Sequence, residues 1–248
     1  MTWDEFHEHF LAASRRLAAL DFDGTLARIT PEPDQASIED QVLDDLALLA
    51  RHADVAVVSG RPRSFLEHQL ARVVNLELVS NFGRSEQVPP SLATTLATVA
   101  AKLSALEHRG AFIERKPTSV TIHVREHPEL SEEARALAQT LAKAHGLELM
   151  EARAAWELLI PSAAHKGTAV AALLARGYEA AWYAGDDRND VEAIRALRAS
   201  TVVSYGMAID SGEFPASLAL VADEVVTQAE FHRRLHVLAE ACAAQPPR

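Results

Sequence analysis

Cysteine is nearly absent from this chain, lysine is scarce, and no apolar run approaches the length of a membrane span. The single cysteine, Cys242, can close no internal disulfide and has no companion for a thiolate metal site, so a reducing compartment is expected. No stretch reaches about 18 uncharged apolar residues, and the opening MTWDEFHEHFLAASRR is acidic and broken by charge, unlike a secretory signal. A cytoplasmic protein with no membrane partner is therefore expected. The balance of 24 basic against 35 acidic residues, net -11, argues against a nucleic-acid partner, because phosphate-backbone binding needs clustered Lys and Arg. It leaves room for a small anionic ligand, since one cation-lined pocket fits in an acidic protein. Only Lys102, Lys116, Lys143 and Lys166 are lysines, so the setting of each is informative. Disorder is excluded as well: 48% hydrophobic and 24% charged residues make an ordinary globular composition, long enough at 248 residues for a sizeable core.

What is present is alternation. Residues 17–20 (LAAL), 54–60 (DVAVVSG) and 76–80 (LELVS) are short apolar runs separated by helix-like stretches at 38–52 and 62–74. Buried strands alternating with amphipathic helices predict a parallel sheet covered on both faces. Residues 89–160 read differently, as helix (89–110), two strands (AFIER and SVTIHVRE), helix (128–145) and two more strands (LELMEA and AWELLI). That order predicts a small α+β unit. After Pro161 the alternation returns, through KGTAVAALLARG, AAWYAG, NDVEAIRALRAS, TVVSYG and a last helix from 228. The fold class is thus α/β, a Rossmann-like parallel-sheet core (1–86 and 161–248) interrupted by an α+β cap domain (87–160). Trp156 and Trp182 fall in strand-like runs and are read as core. The histidines outside strand 119–126, including His165, are read as solvated or capping.

Open parallel sheets collect ligands where their strands end. Four polar clusters occupy such ends: Asp21 and Asp23 after LAAL, Ser59 and Arg61 after VAVV, Lys166 opening a helix, and GDDRND (185–190) after AAWYA. Each alone has a bland reading as a turn, a cap or a solvated side chain. Together they make chemical sense. Asp21, Asp23, Asp186, Asp187 and Asp190 are an all-oxygen set suited to a hard cation such as Mg2+, and no Cys or His accompanies them as zinc would require. A carboxylate such as Asp21 can attack phosphorus. Asp23, two residues on, can move protons. The hydroxyl of Ser59 and the ammonium of Lys166 can supply the remaining contacts to the equatorial phosphoryl oxygens. Arg61 can serve the phosphate or pair with a carboxylate.

The segments DFDGT (21–25), VVSGR (57–61), HKG (165–167) and GDDRND, in this order and spacing, resemble the four motifs of the haloacid dehalogenase superfamily of phosphatases. The resemblance implies Asp21 as nucleophile, Asp23 as general acid/base, Ser59, Gly60 and Lys166 as phosphate binders, and Mg2+ held by Asp21, the Asp23 carbonyl and Asp186 with Asp190 or Asp187. The segment ERKPTSVTIHVRE (114–126) is similar to the E-x-K-x-x-S-x-x-x-H-x-R stretch of trehalose-6-phosphate phosphatases, which implies that Glu114, Lys116, His123 and Arg125, with Arg61, meet the substrate. His123 and Arg125 also fit the wet face of a sheet. The expected function is Mg2+-dependent hydrolysis of a sugar phosphate, trehalose 6-phosphate above others. The alternatives are another glycosyl phosphate (sucrose 6-phosphate or a glycosyl-phosphoglycerate), a phosphomutase, or a non-catalytic sugar-phosphate sensor.

Overall fold

The computed structural model describes residues 1–30, 32, 35–83, 88–152, 154–161, 164–212 and 214–245. The chain forms two compact units, one of Met1–Gly83 with Ala164–Arg248 and one of Arg84–Ala163. The larger unit begins with α1 (Trp3–Ala12), β1 (Arg16–Leu20), α2 (Asp40–Leu49), β2 (Asp54–Val58), α3 (Arg63–Gln69), β3 (Leu76–Val79) and a single 3-10 turn at Asn81–Gly83. The smaller unit contributes α4 (Pro90–Lys102), α5 (Ser104–Glu107), β4 (Phe112–Arg115), β5 (Ser119–His123), α6 (Ser131–His145), β6 (Glu148–Ala152) and β7 (Ala155–Leu159). The larger unit then resumes with α7 (Lys166–Leu174), β8 (Ala180–Gly185), α8 (Arg188–Ala199), β9 (Val203–Asp210), α9 (Ala216–Ala219), β10 (Glu224–Thr227) and α10 (Gln228–Ala243).

The six strands of the larger unit pair in the order β10-β9-β8-β1-β2-β3, every pair parallel, which is the expected Rossmann-like sheet. Strand period two splits each strand between two cores. Ala18 and Leu20 of β1, with Trp182 of β8, pack under α1, α2 and α10, whereas Leu17, Ala19 and Tyr183 pack under α7, α8 and α9. Helix α1 is an element that the charge-broken reading of the N-terminus passed over. Thr2 caps it through a reciprocal box with Glu5, and Phe6 and Phe10, four residues apart on one face, are fully buried. The helix expected over 89–110 divides at Leu103 into α4 and α5.

The smaller unit holds an antiparallel sheet of order β4-β5-β7-β6. One face is apolar, with Ile113, Val120, Ile122, Trp156 and Leu158 packed against Val99 of α4 and Ala138 and Leu141 of α6. Gly146 ends α6 in the left-handed conformation at φ 64. Among the described residues, no helix is long and apolar enough to cross a membrane.

Candidate active site

Register builds the site. Strand β1 lies between β2 and β8, with Leu20 opposite Val57 on one side and Ala184 on the other. The residues that follow therefore leave the sheet side by side at its carboxyl edge. The Asp21 N–H donates to the Ala184 carbonyl at 2.9 Å, carrying the ladder one residue beyond the strand. Lys166 arrives from the first turn of α7, and its Nζ lies 2.7 Å from Asp21 Oδ1 and 2.7 Å from Asp190 Oδ1. None of Asp21, Ser59, Lys166, Asp186 and Asp190 is more than 5% exposed.

Hydrogen bonds fix how the carboxylates face. Asp21 Oδ1 accepts from the Phe22 N–H at 2.7 Å and from the Lys166 ammonium, while Oδ2 accepts no hydrogen bond from the described residues. One oxygen is thus clamped and the other left open, which suits a nucleophile. Asp190 Oδ1 accepts from Lys166 and, at 2.5 Å, from the hydroxyl of Tyr183; its Oδ2 accepts from the Asp187 N–H at 2.8 Å.

Charge in the cluster does not balance. Ligand oxygens of Asp21, Asp186 and Asp190 lie within 4.8 Å of one another, with one ammonium among three buried carboxylates. Burial opposes the Lys166 charge, but Asp190 and Asp21 more than offset it and hold its pKa well above the ordinary value. Burial raises the pKa of Asp21 against the pull of Lys166, and Asp190 and Asp186 add to the rise. Asp186 is pushed up to about 7, by burial first and by Asp190 next. A surplus of buried negative charge, displayed wholly on oxygen, fits a hard divalent cation.

The other expected residues fall in different places. Asp23 does not point its carboxylate into that cluster: Arg61 takes it in a bidentate pair at 2.8 and 2.6 Å, with the guanidinium 4.5 Å over the Phe65 ring. Of the two roles open to Arg61, the resting structure has it on a carboxylate. Ser59 Oγ accepts the Arg61 N–H at 3.2 Å, and Gly60 lies between them. Asp187 stands outside the three-carboxylate cluster, exposed, capping α8 with its Oδ1 on the Arg188 N–H at 2.5 Å; the turn that aims Asp186 and Asp190 inward turns Asp187 outward. Gly24 sits at φ +70, and a Cβ there would lie 1.9 Å from Asp186 Oδ2. The carbonyl of Thr25, next in the loop, is held from α10 by Gln228 Nε2 and His232 Nε2, both at 3.0 Å. His232 is therefore neither solvated nor a cap: its Nε2 donates to the Thr25 carbonyl, and burial lowers its pKa. His165 does cap α7, as expected.

The polar face of the smaller unit's sheet carries a second constellation. Lys116 Nζ lies 3.4 Å from both Glu114 Oε2 and Glu157 Oε1. Ser119 Oγ donates to Glu157 Oε1 at 2.5 Å, and His123 Nε2 meets Glu114 Oε2 at 3.0 Å. Glu114, Thr121 and Glu157 stand in one cross-strand row, and the Thr121 hydroxyl is buried with no hydrogen-bond partner among the described residues. Burial opposes the charge of Lys116, yet Glu157 and Glu114 leave its pKa raised. Arg125 lies past the end of β5, in an exposed turn.

The family model for trehalose-phosphatase matches residues 19–220. The chain belongs to the trehalose-phosphatase family. A trehalose-phosphatase of Schizosaccharomyces pombe is 30% identical over 228 residues, covering 79% of this chain but 28% of that protein, so the chain spans under a third of that relative. The C-terminal domain of trehalose-6-phosphate phosphatase from C. albicans has the same fold, with a TM-score of 0.78 at 20% identity over 97% of each chain. A haloacid dehalogenase-like hydrolase from Bacteroides thetaiotaomicron shares it at a TM-score of 0.60 and 18% identity, over 92% of this chain and 98% of that one.

In this trehalose-phosphatase family member, two polar residues escaped the sequence reading. Tyr183 lies inside an apolar strand and looks like core until β8 is paired; its alternation with Trp182 then turns it toward α7 and α8, where Asp190 is. Glu157 is the one acid in AWELLI. Period two sets it opposite the buried Trp156 and Leu158, a signal that was available but needed the cross-strand register to give it partners.

Proposed function

We propose that the protein is a Mg2+-dependent phosphatase that hydrolyses trehalose 6-phosphate to trehalose and phosphate through an aspartyl-phosphate on Asp21. The observation that carries this reading is the clamped carboxylate of Asp21, with Oδ2 open, inside a buried cluster of excess negative charge. Asp21, Asp186 and Asp190 would hold the cation, which when bound offsets carboxylate repulsion and polarises a phosphoryl oxygen. Asp21 Oδ2 attacks phosphorus, the bond from phosphorus to the sugar oxygen breaks, and Asp23 gives that oxygen a proton. Asp23 then takes a proton from water, water attacks the acyl phosphate, and the bond to Asp21 breaks. Arg61 must release Asp23, and Asp23 must take up a proton from solvent, before the first transfer, so opening of their ion pair belongs to turnover. The proton later taken from the attacking water restores that acid. Ser59 donates a hydrogen bond to a phosphoryl oxygen and Lys166 offsets phosphoryl charge throughout. The polar sheet face of the smaller unit suits a polyhydroxylated ligand: Lys116 and Thr121 offer donors, Glu114 and Glu157 acceptors, and Ser119 orients Glu157.

A substrate panel tests this. Trehalose 6-phosphate should exceed sucrose 6-phosphate and a glycosyl-phosphoglycerate in kcat/KM, EDTA should abolish turnover, and Mg2+ should restore it. A higher rate on another member of the panel refutes the sugar assignment, and transfer of phosphate to a second sugar hydroxyl instead of to water would make the enzyme a mutase. Gly24→Ala gives a sharper local check. A methyl at that position displaces the Asp186 carboxylate and also forces a side chain into left-handed backbone, so kcat/KM should fall by about 100-fold or more, with a stability loss of about 1–2 kcal/mol. A wild-type Mg2+ requirement in this variant would contradict the placement of Asp186.

A further inference from the structure

The turn after β3 holds two consecutive non-glycine residues in left-handed backbone, Asn81 at φ 49 and Phe82 at φ 58. Asparagine tolerates that region; a bulky aromatic residue there is strained. Such strain persists only where the surroundings impose it. Here the imposing contacts are visible. The Asn81 N–H donates to the Arg61 carbonyl at 3.1 Å, the Phe82 N–H donates to the Ser59 carbonyl at 2.9 Å, and the Ser59 N–H donates to the Val79 carbonyl at 3.0 Å. The strained turn is therefore laced to both ends of the loop that carries Ser59 and Arg61. Between those ends lies Gly60, whose own φ is not positive, so left-handed backbone is not what calls for glycine there. What bars a side chain at 60 is the Phe82 ring: a Cβ would lie 2.5 Å from Cζ and 3.0 Å from Cε1 and Cε2.

We infer that Phe82 is a positioning residue, whose ring seats on Gly60 and sets the backbone of the Ser59–Gly60–Arg61 loop for phosphate capture. This rests on the phosphatase reading and deepens it. Strain in the turn aims the ring, the ring requires glycine, and glycine lets the ring close over the loop. The two residues act as a matched pair, in which the Phe82 ring acts through Gly60. Because the loop serves the phosphoryl group, the ring affects every phosphate ester alike, whatever its leaving group.

A double-mutant cycle between positions 60 and 82 tests the pair, read as kcat/KM on trehalose 6-phosphate and on an aryl phosphate, with melting temperatures alongside. Gly60→Ala should cost about 100-fold in the wild-type background and only about threefold when combined with Phe82→Ala, which clears the space. Phe82→Ala alone should cost about tenfold, equally on both substrates, through a rise in KM and in the inhibition constant of inorganic phosphate. Phe82→Tyr should retain activity, and Phe82→Leu guards against a variant that fails to fold. Additive losses on an active wild type would overturn this inference alone. So would a loss confined to the sugar phosphate, or coupling seen only in melting temperature. A wild type that turns over neither ester would remove the phosphatase reading and this inference with it.

Discussion

Asp21→Asn should lower turnover of trehalose 6-phosphate by about four orders of magnitude while leaving the fold intact or more stable. The reasoning separates the two effects. An amide keeps the shape of the carboxylate, and its oxygen can still accept from the Phe22 N–H and from Lys166, so the geometry survives. Its other terminus becomes an NH2 group with no lone pair to attack phosphorus, at the position where Oδ2 now stands open. Meanwhile one of three buried, mutually repelling carboxylates is neutralised, which removes a cost that the metal-free fold carries. Activity and stability should therefore move in opposite directions, as at a site where strain serves chemistry. Rapid-quench labelling should trap phosphoprotein from the wild type and none from the variant. Residual turnover within a few fold of wild type would place the nucleophile elsewhere.

How much of this was legible in the sequence follows from how local each signal is. The strands of the core announce themselves as short apolar runs, and the strand-end rule is enough to bring Asp21, Lys166 and Asp186 together, with Ser59 at the end of the neighbouring strand. The direction of a side chain inside a turn was not legible. Asp186, Asp187 and Asp190 are alike in composition, yet the α8 cap turns Asp187 outward, because its carboxylate is taken by the Arg188 N–H. Partnerships across the fold were equally hidden. Asp23 with Arg61, Tyr183 with Asp190, and His232 with Thr25 join residues far apart in sequence, so only the sheet order and the packing of α7, α8 and α10 bring them together. Glu157 stands between these extremes, flagged by its isolation in an apolar strand but given meaning only by Lys116 and Ser119. Helix α1 was missed because charged residues punctuate it, although Phe6 and Phe10 hold the helical spacing of a buried face.

Lys166→Met should be the most destabilising of these substitutions, and its cost should depend on pH. The ammonium is 3% exposed and is the cation paired with both Asp21 and Asp190. Removing one partner from a buried ion pair leaves uncompensated charge and costs on the order of 3–5 kcal/mol. Protons can partly take its place. Asp186, already lifted from its ordinary 3.8 to about 7, binds a proton in the folded chain across the interval from pH 4 to 7, where the unfolded chain has lost it. Its contribution is therefore stabilising in acid and fades as pH rises through about 7. Asp21, raised in the same direction by burial, adds to that trend. Without Lys166 the carboxylates should climb further, so the loss should be largest near pH 8, shrink near pH 5, and shrink again near pH 8 when Mg2+ is added. Urea midpoints of wild type and variant at the two pH values, with and without Mg2+, measure all of these terms. An equal loss at both pH values would mean that Lys166 is packing and not charge compensation. The graded result would mean that ammonium, proton and divalent cation are interchangeable answers to one excess of buried negative charge, and that among them the proton alone takes Asp21 out of its ionised, attacking form.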